Sequence, residues 1–143
     1  MIKHSDITVI IPVHEWNGNV EKLFGEAVKS VPKDIQIIVS TTSKIAKEGW
    51  ANKYKIVKHD KSTSFQSLVN AGVNEVKTEW FSILEFDDEY SSIWFKNLQK
   101  YIENDGDETF AFLPLTEFVE YGTKDSFGYA TESVWASSFS ENL

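Results

Sequence analysis

The chain contains no cysteine, three prolines, a single methionine and no long apolar run. Without cysteine there are no disulfides, no thiolate metal sites and no cysteine nucleophile. A membrane-spanning helix takes about 20 consecutive apolar residues, and none of the apolar stretches approaches that length. The N-terminus, MIKHSD, runs straight into a short strand-like stretch, so no targeting signal is expected either. A location in the reducing cytoplasm is the expectation. Basic residues are also in deficit, 14 against 22 acidic, for a formal charge of -8, and they are scattered instead of forming a stripe. Such a surface repels phosphate backbones, which argues against a nucleic-acid partner. An anionic nucleotide would then need a bridging cation or helix N-termini to bind.

What is present fits one globular domain spanning residues 1–143. The 41% hydrophobic and 25% charged residues lie close to the globular average, and five tryptophans with ten phenylalanines exclude a disordered composition. No internal repeat or low-complexity tract interrupts the chain.

The stretch Trp80–Tyr90, WFSILEFDDEY, is the most informative. Its apolar residues Trp80, Phe81, Ile83, Leu84 and Phe86 have the character of a strand, and the run ends in Glu85, Asp87, Asp88 and Glu89. Ligands of open α/β sheets bind just beyond the carboxyl ends of the strands, so acids there are candidates for a metal and its anionic partner. Their bland alternative is the preference of acids for the N-terminus of a following helix. Glu85 fits that alternative poorly, because it interrupts the apolar run.

The remaining pieces alternate. Residues 7–13 (ITVIIPV) read as a central strand covered on both faces, with Pro12 at its end because proline lacks a ladder donor. After a turn at Asn17, Gly18 and Asn19, apolar residues at Val20, Leu23, Phe24, Ala27, Val28 and Val31 mark a helix stopped by Pro32. Residues 35–39 form the next strand, followed by polar Ser40, Thr41, Thr42 and Ser43 and a short helix before Trp50. A third strand is expected over 54–57. Ser62, Thr63 and Ser64 offer caps to a helix with apolar positions Phe65, Leu68, Val69, Gly72, Val73 and Val76. Ser91 or Ser92 caps a third helix with an apolar side of Ile93, Trp94, Leu98, Tyr101 and Ile102. Further strands are expected over 110–115 and 118–121, and the tail 122–143 has no regular pattern. The fold class is α/β, a mostly parallel sheet flanked by helices.

Taken in order, TVIIPVHE, the first helix, IQIIVS, YKIVKHD, LVNAG and WFSILEFDDEY resemble the nucleotide-binding half of a family 2 glycosyltransferase with a GT-A (Rossmann-like) fold, over residues 6–105. The resemblance implies a metal-assisted transfer of a sugar from a nucleotide-sugar donor to an acceptor hydroxyl, with a divalent Mn or Mg ion as cofactor. It implies that Pro12 and Val13 lie along the base, that Asn70 and Gly72 face the donor, and that Glu85 stands near the ribose and metal. Asp87 is the implied metal ligand, and Asp88 is the second member of the acidic pair. The chain departs from the family at three places. Ser40, Thr41 and Thr42 stand where an acid normally contacts the base, Val69 replaces an arginine, and Glu85 replaces an aspartate. No base motif follows the third helix, and Glu117, Glu120, Asp125 and Glu132, the acids available there, receive no assignment. The chain is therefore expected to be either a minimal or truncated enzyme or a degenerate, non-catalytic GT-A-like domain, a binding or assembly module meeting a protein partner through its C-terminal tail. A nucleotidyltransferase ranks third, since the segment His14–Asn19 has only Gly18 and no phosphate loop. His14 and His59, at strand ends, are more readily solvent-facing than metal ligands.

Overall fold

The structure, a computed structural model, describes residues 3–47 and 49–98 with their side chains and the backbone of 115–121 and 130–136. It divides into two compact units, Met1–Asn104 and Asp105–Leu143. In the first, β1 (Ile7–Pro12), α1 (Gly18–Ser30), β2 (Gln36–Thr41), α2 (Ser43–Ala46), β3 (Lys55–Lys58), α3 (Phe65–Val73) and β4 (Trp80–Ile83) follow one another, with a 3-10 turn at Trp50–Lys53. The four strands form one sheet in the order β3-β2-β1-β4, and every pairing is parallel. This is an α/β fold with β1 in a central position, as its β-branched sequence demands.

Because successive side chains of a strand point to opposite faces, β1 serves two helices at once. Ile7, Val9, Ile11 and Val13 join Val20, Phe24 and Ala27 of α1 in one apolar cluster. On the other face Gly72 of α3 stands against Ile10, so close that a Cβ on the glycine would lie 2.7 Å from Ile10 Cγ2. The two helices thus cover opposite faces of the sheet. Thr8 is fully buried, and its hydroxyl meets that of Thr78 at 2.6 Å, which in turn donates to the Trp80 carbonyl.

Local chemistry sets the helix ends. The Asn17 side chain accepts from the backbone of Asn19 and Val20, both at 3.0 Å, and opens α1. Val31, extended because Pro32 follows, closes it. Ser64 caps α3 by accepting from Ser67 N–H. Trp16 and Trp50 stack with centroids 4.0 Å apart, and Phe24 meets both edge-on. This cluster holds the loop after β1 to the segment between β2 and β3.

Several expectations from the sequence need correction. Ser40 and Thr41 belong to β2 and are fully buried instead of lying beyond it. The third strand sits one residue later than expected. α3 ends at Val73, leaving Val76 outside, and Phe65 is 45% exposed instead of joining the core face of Leu68, Val69 and Gly72. Around the helical turn 94–98 the buried residue is Phe95, whereas Ile93 is exposed; Tyr101 and Ile102 lie outside the described residues.

In the second unit β5 (Leu115–Tyr121) and β6 (Ala130–Ala136) form an antiparallel pair in continuous register from Leu115↔Ala136 to Tyr121↔Ala130. The strand expected over 118–121 falls within β5, while 110–114 lies outside the described residues. The tail therefore holds a strand that its mixture of small, polar and aromatic residues did not announce.

Candidate functional site

Pro12 decides where the site begins. Leu84 N–H donates to the Ile10 carbonyl at 2.9 Å, and in a parallel ladder the next bond would run from the N–H of residue 12 to the Leu84 carbonyl. Proline has no such donor, so β4 is released from β1 at this point and ends at Ile83, three residues short of the expected strand. The chain then turns, with Asp88 N–H donating to the Glu85 carbonyl at 3.1 Å. Leu84 and Phe86 point inward and are buried. Glu85, Asp87, Asp88 and Glu89, alternating with and following them, stay at the surface.

This turn gathers Glu85, Asp87 and Asp88, each offering a carboxylate oxygen within 4.8 Å of the others. The crowding shows in their acidity. Partial burial, then the charges of Asp88 and Asp87, push the Glu85 carboxyl above its usual range, with His14 opposing weakly. Burial and the Asp87 charge raise Asp88 likewise. Like charges held this close destabilise one another, and a cation between them removes that penalty. Hard divalent ions take oxygen donors of this kind and keep positions for further oxygens, so the donor set fits Mg or Mn.

The cluster borders a groove of about 300 Å³ whose lining combines Pro12, His14, Phe65 and Phe86 with the carboxylates of Glu85 and Asp87. The His14 ring lies 5.3 Å from that of Phe86. Four rings and two carboxylates thus meet in one recess at the carboxyl ends of β1 and β4.

The other residues singled out in the sequence lie elsewhere. Val13 is fully buried, and both its backbone groups are engaged: its N–H donates to the Ser40 carbonyl at 2.9 Å and its carbonyl accepts from the Thr41 hydroxyl at 2.6 Å. Gly72 packs against Ile10 and Ser40. Asn70 lines a second groove, of about 440 Å³, with Val57, Lys58, His59 and Asn74. Glu85, Asp87 and Pro12 come together; Asn70, Gly72 and His59 do not join them there.

The end of β2 is closed by its own bonds. Besides the Thr41 hydroxyl, the Thr41 carbonyl accepts from His59 N–H at 2.8 Å, and the Thr42 hydroxyl accepts from Ile45 N–H at 3.2 Å to cap α2. Asp60 accepts from the backbone and hydroxyl of Ser43 at 2.6 and 2.7 Å, which holds its carboxyl below the usual range. Only the buried Ser40 hydroxyl lacks a partner there.

Phe65 is one of three groove residues, with Thr63 and Phe86, that the sequence did not mark as site residues. Its spacing to Leu68 and Val69 suits a core face, but it is the first helical residue, and side chains there lean back beyond the helix end. The cap at Ser64 was the available signal.

No protein-family model matches the chain, and no curated protein matches it. Among the described residues no helix is long and apolar enough to cross a membrane.

Proposed function

We propose that the recess between Pro12 and the acidic turn is a divalent-cation-dependent binding site for a nucleotide sugar, and that the protein transfers the sugar to an acceptor hydroxyl. One observation carries this reading: three mutually repelling carboxylates and an aromatic-lined groove share the carboxyl ends of central β1 and its neighbour β4, where α/β sheets bind ligands. A bound Mn or Mg ion would neutralise a diphosphate and stabilise it as a leaving group. All 14 basic residues of the chain are lysines, and none is among the groove's lining residues. A diphosphate there meets no lysine, and beside the two carboxylates a bound cation supplies the counter-charge in this reading.

In this reading Asp87 and Asp88 hold the ion, Glu85 completes the donor set and faces the ribose side, and Pro12 forms the floor under the nucleotide. No group is assigned as the acceptor's base. A second reading, a non-catalytic nucleotide-binding or assembly module, draws support from the closed end of β2, where Thr41 already satisfies Val13.

Calorimetric titration with UDP and GDP, each with and without Mn²⁺, tests the site. Metal-dependent heat for one nucleotide, lost in Asp87→Ala while the circular dichroism spectrum is unchanged, is the expected result. Binding that ignores the metal, or that survives in Asp87→Ala, would overturn the assignment. Release of free sugar or transfer from the bound nucleotide sugar then separates the enzyme from the module.

A further inference from the structure

We infer that the Phe65 ring is the platform on which the flat ring of a nucleotide rests, so that Phe65 makes the site select a nucleoside diphosphate over a bare diphosphate. This rests on the reading of the site given above and extends it to a residue outside the resemblance.

Phe65 does not belong to the core that its helix builds. Leu68, Val69 and Gly72 are the buried residues of α3, whereas Phe65 is 45% exposed. Capping of the helix by Ser64 makes no use of its ring, and helix propensity does not favour an aromatic there. An aromatic ring half open to water leaves apolar surface that burial against a ligand would stabilise. The ring lines the same groove as the carboxylates of Glu85 and Asp87, and Pro12 and Phe86 extend the apolar wall.

The recess therefore sets carboxylates that attract a cation and its anion beside the apolar faces of Pro12, Phe65 and Phe86, with His14 and Thr63 completing its lining. A ligand matching both carries a flat apolar ring together with a cation-requiring anionic group, which describes a nucleoside diphosphate. The groove's size, about 300 Å³, stands at the lower end of small-molecule sites. The end of β2 offers no competing seat for the ring, because Ser40, Thr41 and Thr42 are buried and the Thr41 hydroxyl is committed to Val13. Stacking is tolerant of base identity, so Phe65 confers preference for a base without choosing which one.

The experiment compares, in the presence of Mn²⁺, the affinities for inorganic pyrophosphate and for UDP, GDP, ADP and CDP in the full chain, in Phe65→Ala and in Phe65→Trp. The expected result is a nucleotide-over-pyrophosphate preference in the unaltered protein that falls about tenfold in Phe65→Ala and is kept in Phe65→Trp, with pyrophosphate affinity unchanged in both. Because the ring is half exposed, the variants should fold, and their unfolding transitions check this. Equal preference in Phe65→Ala and the unaltered chain, with Mn²⁺ and pyrophosphate still bound, would overturn the platform and leave the cation site standing. Failure of the unaltered chain to bind pyrophosphate or any of the nucleotides with Mn²⁺ would overturn the cation site and the platform together.

Discussion

Strands β2 and β4 flank β1 on either side, yet their carboxyl ends are finished in opposite ways. At β2 the polar groups turn inward, and all but the Ser40 hydroxyl bond within the protein: the Thr41 hydroxyl to the Val13 carbonyl, the Val13 N–H to the Ser40 carbonyl, and the His59 N–H to the Thr41 carbonyl. At β4 the polar groups are three carboxylates that face solvent and repel one another. Both ends occupy the part of an α/β sheet where ligands bind. A polar group satisfied within the protein contributes to stability and has little left for a ligand, while an unsatisfied charged cluster costs stability until a ligand neutralises it. On the function proposed above, the difference would give β2 the task of holding the fold and β4 that of binding.

The comparison breaks most readily at Gly72, which lets α3 approach the β1–β2 face. Replacing a helical glycine by valine raises helix propensity by roughly a few tenths of a kcal/mol. Against this, its Cβ would meet the fully buried Ile10 at 2.7 Å and Ser40 Cβ at 3.5 Å, with two methyl groups still to place. Overpacking of this kind costs about 3 kcal/mol, so the steric effect wins. Gly72→Val should lower the urea unfolding midpoint by the largest margin of any change considered. An unchanged midpoint would show that the α3 contact is slack and that the tightness of the β2 side has been overstated.

Thr41→Val probes the closed end directly. The change keeps the shape and removes the donor to Val13, leaving a buried carbonyl without this bond at a cost of about 1–2 kcal/mol. Metal binding at Glu85–Asp88 should be unaltered, since those residues hang from β4. Loss of Mn²⁺ affinity in Thr41→Val would mean that the two ends are coupled and cannot be read separately.

The layers of this structure were not equally visible in the sequence. The central strand and α1 were legible because a β-branched run and a 3.6-residue apolar period each admit one reading. The acidic cluster was legible from its composition, but its exposure was not: Glu85 was expected inside a strand. It lies outside because the missing Pro12 N–H ends the β1–β4 ladder early, a cross-strand effect that no local window contains. Ser40 and Thr41 were expected beyond β2 because they are polar, and tertiary bonding drew them into the core. Phe65 was counted with the core because spacing alone ignores the lean of a first-turn side chain. The strand β6 was hidden by weak alternation, its pairing with β5 being non-local.

The smallest effect, and the one that best separates the two ends, is the pH dependence of the acidic turn. Burial and the Asp87 charge raise the Asp88 carboxyl above its ordinary 3.8, so the folded state holds its proton more tightly than the unfolded state does. Below 3.8 both states are protonated and no penalty is felt; as pH rises through the raised folded value the folded state must carry an unfavourable charge, and stability falls. Asp88→Asn removes this loss. In the presence of a chelator the variant should match the unaltered protein near pH 3.5 and exceed it at pH 7, by less than about 1 kcal/mol because the site is partly open to solvent. Added Mn²⁺ should reverse the order at pH 7, since an ion bound to the folded state stabilises it by mass action and the variant has lost one ligand. Urea midpoints at the two pH values, with chelator and with Mn²⁺, decide the matter. A variant already weaker than the unaltered chain at pH 7 in chelator would mean that the Asp88 carboxylate is held by an attraction within the protein, which would make the end of β4 as closed as that of β2.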